Sequence, residues 1–206
     1  MNIVKKHIIR TILALTLLSV SLLASSKAKL LEHIPLEWKP TSDLRLGTTP
    51  MSSSTVTIGT FTDGRENKEA IGENREEEEP RPVTTSDDVG AFVGLHIRQL
   101  FDEAGFKTLD ANGAVTITGE VKKFFAREGN TYKSEVTLQL SVSDQQGKIL
   151  WKGLASGEAT RFGRSYKAEN YYEVLSDAVV NTVSSMLQAP EFQRALSGHA
   201  IGSGTQ

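Results

Sequence analysis

The residues able to do chemistry are few and scattered. The chain has no cysteine, which removes disulfides, thiolate metal sites, cysteine nucleophiles and thioether-linked lipid together. Its four histidines are His7, His33, His96 and His199. No two of them have metal-ligand spacing, and there is no HExxH run. GxSxG, P-loop and GxGxxG patterns are also absent, so acyl transfer, nucleotide binding and dinucleotide binding lack their usual residues. His96 lies at the edge of an apolar helical stripe, where a packed histidine is favoured over a general base. If the chain were an enzyme, a periplasmic hydrolase using His96 with neighbouring carboxylates is the form the residues would allow. Glu76–Glu79 offers hard oxygen donors, but consecutive side chains do not converge on one ion. No metal and no cofactor is expected.

Two local patterns carry more information. Asp63-Gly64-Arg65 follows a strand and has two readings: an Asx-type turn relieved by glycine, or a site where Arg65 anchors a carboxylate or phosphate at the end of the sheet. Asp63 and Arg65 are therefore the candidate residues for ligand or partner binding. Lys122-Lys123-Phe124-Phe125-Ala126-Arg127 mixes cations with aromatics, as single-strand nucleic-acid platforms do. The RRM glycines are missing, and the order of elements is wrong for that fold. Nucleic acid is not an expected partner.

The elements that must position these residues follow from hydrophobic spacing. Thr55–Phe61 alternates apolar and small residues as a strand does. The stretch 62–84, with its acidic run, Pro80 and Pro82, is expected to be a long loop, either functional or disordered. A helix is expected over 86–104, with Thr85 and Asp88 as a capping box and Gly105-Phe106 as a Schellman-type stop. Val89, Phe92, Val93, His96, Ile97, Leu100, Phe101 and Ala104 form its apolar stripe.

Three strands should follow. Val115, Ile117, Gly119, Val121 and Phe125 line one face of the first. Tyr132, Val136, Leu138, Leu140 and Val142 line the next, and Ile149, Trp151, Gly153, Ala155, Gly157 and Ala159 the last, with turns at Gly129-Asn130 and Asp144–Gly147. A second helix is expected from Asn170, capped with Glu173, to about Leu187. Pro190 should open a short terminal helix. The order β-α-β-β-β-α predicts an α+β two-layer sandwich: a four-stranded mixed sheet with two helices on one face. Its other face would be polar (Thr116, Thr118, Glu120, Lys122, Lys133, Glu135, Thr137, Gln139, Ser141).

Residues 1–28 have the form of a secretory signal. Lys5, Lys6 and Arg10 precede the apolar run Ile12–Leu23, and Ser26-Lys27-Ala28 offers a cleavage site. The run is shorter than the ~20 residues a membrane span needs. An uncleaved anchor is the other reading. The remaining plan is an extended lead-in segment over 29–52, a domain over 53–197 and a Gly/Ser-rich tail over 198–206. The whole chain has 23 basic against 25 acidic residues. Removing Lys5, Lys6, Arg10 and Lys27 with the signal leaves 19 against 25, or −6. Such a chain has no general attraction for nucleic acid or anionic lipid.

Strand 55–61, Asp63-x-Arg65, the 86–106 helix and the Asp144-x-x-Gly147-Lys148 turn together resemble the YajG-like family of bacterial envelope lipoproteins, over about residues 53–196. The resemblance implies an outer-membrane-associated compartment and no reaction. The chain departs from the family at the lipid-bearing cysteine: Leu22-Leu23-Ala24 is followed by Ser25, whose hydroxyl should not replace the sulfur nucleophile. That makes membrane association doubtful. The expectation is a periplasmic, non-catalytic binding or accessory protein of the Gram-negative envelope with envelope proteins as partners. A ligand carrier or sensor using the 62–84 loop is an alternative.

Overall fold

The computed structural model describes residues 30–45 and 55–199. The predicted signal with Ser25, residues 29 and 46–52 of the lead-in segment, residues 53–54 of the expected domain and the tail beyond His199 lie outside the described residues. The elements in order are β1 (Thr55–Asp63), β2 (Ala70–Asn74), β3 (Arg81–Thr84), α1 (Val89–Glu103), β4 (Lys107–Leu109), β5 (Val115–Glu128), β6 (Thr131–Asp144), β7 (Ile149–Phe162), α2 (Ala168–Gln188) and α3 (Pro190–Leu196).

The two-layer α+β expectation holds at that level, but among the described residues the sheet has seven strands rather than four, and there are three helices rather than the two of the expected sandwich, the third being the short terminal one expected at Pro190. The extra strands are β2, β3 and β4. Two of them occupy the stretch expected to be a loop. They escape pattern reading because they are three to five residues long and interrupted by Gly72 and Pro82.

Strands β5, β6 and β7 form an antiparallel meander, each 14 residues long. On the other side of β5, two strands lie end to end. β1 runs parallel to its first half, with Val56 opposite Val115 and Asp63 opposite Val121. β2 runs parallel to its last residues, with Gly72 opposite Ala126 and Asn74 opposite Glu128. β4 extends the sheet beyond β1 in parallel, and β3 extends it beyond β2 antiparallel. The sheet is therefore mixed.

The inner face is apolar. Val115, Ile117, Val121, Leu138, Leu140 and Val142 are fully buried beneath the helices. Trp151 is only half-buried, with its ring edge-on to Phe192 of α3 at 5.3 Å. Two bulges correct the expected alternation. An extra residue between Val121 and Lys123 turns Phe124 into the core (1% exposed) and Phe125 outward. A shift at the start of β7 buries Leu150 and exposes Ile149. Each slip of one residue exchanges the faces beyond it.

Small residues on β7 let α2 come close. A Cβ on Gly157 would lie 2.2 Å from the Thr182 amide nitrogen, so only glycine permits this contact. Helix α1 begins three residues later than expected: Asp88 is its N-cap, accepting from Ala91 N at 3.0 Å, while Thr85 Oγ1 accepts from Asp87 N at 3.1 Å. Its end matches the expectation. Gly105 has φ +85°, the Phe106 amide donates to Phe101 O at 3.0 Å, and the two rings pack at 4.9 Å. Helix α2 starts at Ala168 with no side-chain cap, so the expected Asn170 cap is not used. α3 opens on Pro190 as expected.

Residues 30–45 form an ordered strap. Leu31 bridges Val83 in parallel, and the Ile34 amide donates to Thr84 O at 2.9 Å. The strap then follows α2. The amides of Lys39 and Arg45 each donate to a serine hydroxyl, Ser176 and Ser184, at 3.0 Å. Asp177 accepts from Thr41 N, Thr41 Oγ1 and Ser42 N at 2.6 to 2.7 Å. These polar groups on α2 are buried because an extended backbone uses them.

Candidate functional site

Asp63 and Arg65 come together, and both face inward. Between the end of β1 and the start of β2, the edge of β5 would be left without a partner, and Arg65 fills that gap. Its Nε and Nη2 donate to Asp63 Oδ1 and Oδ2 at 2.9 and 2.8 Å. Nη1 donates to Ala70 O at 2.6 Å and to Phe124 O at 3.3 Å, and Nη2 also reaches Lys68 O. All five N–H donors of the guanidinium are thus met by the chain itself. Arg65 is 8% exposed. Burial pushes the Asp63 carboxyl up, but the hydrogen bonds and charge of Arg65 outweigh it and hold its pKa below the ordinary value. The pair splices two strands into one sheet edge.

His96 lies between aromatic rings, stacked on Trp38 of the strap at 4.2 Å and tilted against Phe92 at 4.3 Å. Its Nδ1 donates to Phe92 O at 2.7 Å. Burial lowers its pKa, so the imidazole is neutral. Among the described residues no carboxylate bonds to it, and no group of three His, Asp or Glu side chains is placed to hold a metal. In the acidic run, Glu76 pairs with Arg164 at 3.0 Å and Glu77 with Arg81 at 3.4 Å. The 62–84 segment builds sheet edge.

A buried carboxylate that the sequence did not single out sits at the end of β5. Glu128 accepts from the Tyr132 and Tyr171 hydroxyls at 2.5 and 2.9 Å and from the amides of Ser165 and Tyr166 at 2.8 Å each. Asn170, inside the first turn of α2, donates to Tyr132 Oη at 3.1 Å and to Ser165 Oγ at 2.7 Å. Burial pushes the Glu128 carboxyl up, yet the Tyr132 hydroxyl and the two amides hold it below the ordinary value. Burial and the Glu128 charge push the Tyr171 phenol far up. The network ties the hairpin end of the meander to the turn before α2.

The outer face of the sheet carries a groove of about 640 Å³ beside that hairpin. Register places its side chains in rows across the strands. Glu73, Arg127, Lys133 and Thr160 form one row, and Phe125, Glu135 and Glu158 the next. Arg75 closes one end. Glu73 Oε1 receives two arginines through their Nε atoms, Arg75 at 2.6 Å and Arg127 at 2.7 Å. Burial pushes the Glu73 carboxyl up, but Arg127 and Arg75 hold it below the ordinary value, so it is ionised. Lys123 pairs with Glu135 at 2.5 Å. No bond from the Nη groups of Arg75 and Arg127 or from Lys133 Nζ occurs among the described residues. No spacing in the sequence marks this site: its lining comes from three strands, the β5–β6 turn and the loop after β2. The only visible signal was the Lys122–Arg127 run, with its faces exchanged by the bulge.

The described residues form an α+β domain whose sheet is covered by helices on one face and polar on the other. A family model for uncharacterised lipoproteins, Lipoprotein_16, matches residues 48–197, and the chain belongs to that family, in line with the resemblance read from its sequence. No curated protein matches it in sequence. Among solved structures it is similar to a DUF330-family protein from Xanthomonas campestris at 10% identity, covering 72% of this chain and 90% of that one with a TM-score of 0.52. That likeness is one of fold alone. A PelC dodecamer from Paraburkholderia phytofirmans gives 13% identity, 78% and 100% coverage and a TM-score of 0.39. A minor lipoprotein from Acinetobacter baumannii gives 10%, 72% and 94%, and 0.34. No helix among the described residues is long and apolar enough to cross a membrane.

Proposed function

We propose that this chain is a non-catalytic binding or accessory protein of the Gram-negative cell envelope, working in the periplasm with envelope proteins as partners. One contrast supports the reading. Asp63, Arg65 and His96, the residues best suited to chemistry, are consumed by internal bonds, while the uncovered sheet face keeps charged groups without partners. An imidazole pressed between two rings, its Nδ1 spent on Phe92 O and with no carboxylate bonded to it among the described residues, gives the hydrolase reading no support. Membership of a lipoprotein family supports the compartment. Ser25, where the acceptor sulfur should be, argues for a protein free of lipid.

Crosslinking in intact envelopes followed by pull-down tests the proposal. Specific protein partners should be recovered. Recovery of abundant exposed proteins alone would overturn it. A carrier or sensor role for the 62–84 segment is a second reading, favoured by one observation: Arg75 of that segment lines the groove.

A further inference from the structure

We infer that the groove on the outer sheet face binds a phosphorylated sugar, a deepening that rests on the reading of this chain as a non-catalytic binding protein. The argument begins with the rows on the groove floor. Arg127 on β5 stands directly opposite Lys133 on β6, and Glu135 on β6 directly opposite Glu158 on β7. Like charges facing each other across neighbouring strands are unfavourable. Here a cationic pair and an anionic pair lie side by side, two residues apart along the strands, or roughly 7 Å. The cationic row is only partly relieved, because the single carboxylate of Glu73 is shared by Arg75 and Arg127. With Lys133, that leaves two net positive charges and two guanidinium forks available, the two arginine side chains being 52% and 54% exposed.

This donor set asks for an oxyanion with several acceptor atoms, which a phosphate supplies and a fork binds through paired N–H bonds. The neighbouring acidic row excludes a uniform polyanion. Glu158, which has no ion pair among the described residues, and Glu135 can instead accept hydrogen bonds from hydroxyl or amine groups about one sugar ring away from the phosphate. Phe125 lies in that second row and lines the groove, giving the ring an apolar surface. The volume of about 640 Å³ suits a ligand of one or two rings. Phosphate on Arg75, Arg127 and Lys133, with the ring over Phe125, offsets the cationic row and turns the ring's polar substituents toward Glu158 and toward Glu135, which Lys123 already pairs.

Calorimetric titration of the full chain with glucosamine 1-phosphate tests this, with inorganic phosphate and vesicles of phosphatidylethanolamine and phosphatidylglycerol as comparisons. Saturable binding that weakens as salt rises is expected, tighter for the sugar phosphate than for phosphate alone. Arg75→Gln and Arg127→Gln should each weaken it about tenfold, the order of one charge-assisted bond. Phe125→Ala should remove the advantage over inorganic phosphate and leave phosphate binding itself unchanged. Lys122→Gln, a residue that does not line the groove, should change nothing. Absence of saturable binding up to about 10 mM, binding indifferent to both arginine variants, or binding to vesicles but not to the sugar phosphate would each overturn the inference. The binding-protein reading falls separately, if envelope crosslinking yields no specific partner.

Discussion

Arg65 meets an acceptor with each of its N–H groups, so any substitution there leaves buried polar atoms without partners. Arg65→Met should cost about 3–5 kcal/mol in urea unfolding, as for other buried pairs broken on one side. Asp63→Asn/Arg65→Met should cost less than the two single changes summed, because no unpaired charge remains. The pH dependence has a definite sign. The folded pKa of Asp63 lies below its ordinary 3.8, so its contribution is present above that value and is lost as pH falls through the folded pKa. The stability gap between the wild type and the double variant should narrow in that acid window. His96 follows the rule for a buried histidine. Its folded pKa lies below 6.5, so the unfolded chain takes up a proton first and stability falls as pH drops below 6.5 toward the folded value. His96→Phe should flatten this step, seen as a smaller shift in urea midpoint between about pH 7.5 and about pH 5.5 than the wild type shows.

At the scale of elements, register makes the sharpest claims. Leu138 on the buried face should cost about 2–5 kcal/mol when cut to alanine, and Thr137 beside it far less. The bulge adds a second pair: Phe124→Ala should cost about 3–5 kcal/mol, while Phe125→Ala, one residue on and outside, should cost little. Equal effects within either pair, measured by denaturant unfolding, would mean that the faces are misassigned. These pairs also show what was legible. Long alternating runs in β5 to β7 and the 3.6-residue stripes of α1 and α2 declare themselves, because one face of each is buried along its whole length. The slip within Lys122–Arg127 does not, since apolar and charged residues adjoin there and either phase fits. β2 and β3 are too short for a period. Asp63 and Arg65 were visible as a pair, but whether they face a ligand or a gap in the sheet depends on β2, which the pattern did not reveal. The groove is a product of register between distant strands, and its local trace is the Lys122–Arg127 run alone, read in the wrong phase.

For the whole molecule, the question is how the chain is held at its start. Ser25→Cys should yield a protein that labels with fatty acid, while the wild type does not label and is washed from membranes by salt. Label on the wild type would contradict a lipid-free protein. The strap gives an independent measurement: Asp177→Ala removes the acceptor for Thr41 and Ser42 and should speed amide exchange and trypsin cleavage over residues 39–45, with β5 to β7 unaffected. The strap also fixes an order of events. Its bonds reach about 135 to 139 residues along the chain, from Lys39, Thr41, Ser42 and Arg45 to α2. A chain made and delivered from its N-terminus therefore presents the strap long before its seat exists. The meander, closed by two tight turns, can form by itself on emergence, and α2 follows. Leu31 to Leu36 can find their partners near β3 early, but Lys39 to Arg45 have none on α2 until residues 176 to 184 have been delivered. Over that interval the second half of the strap waits as a peptide whose polar backbone only water can satisfy.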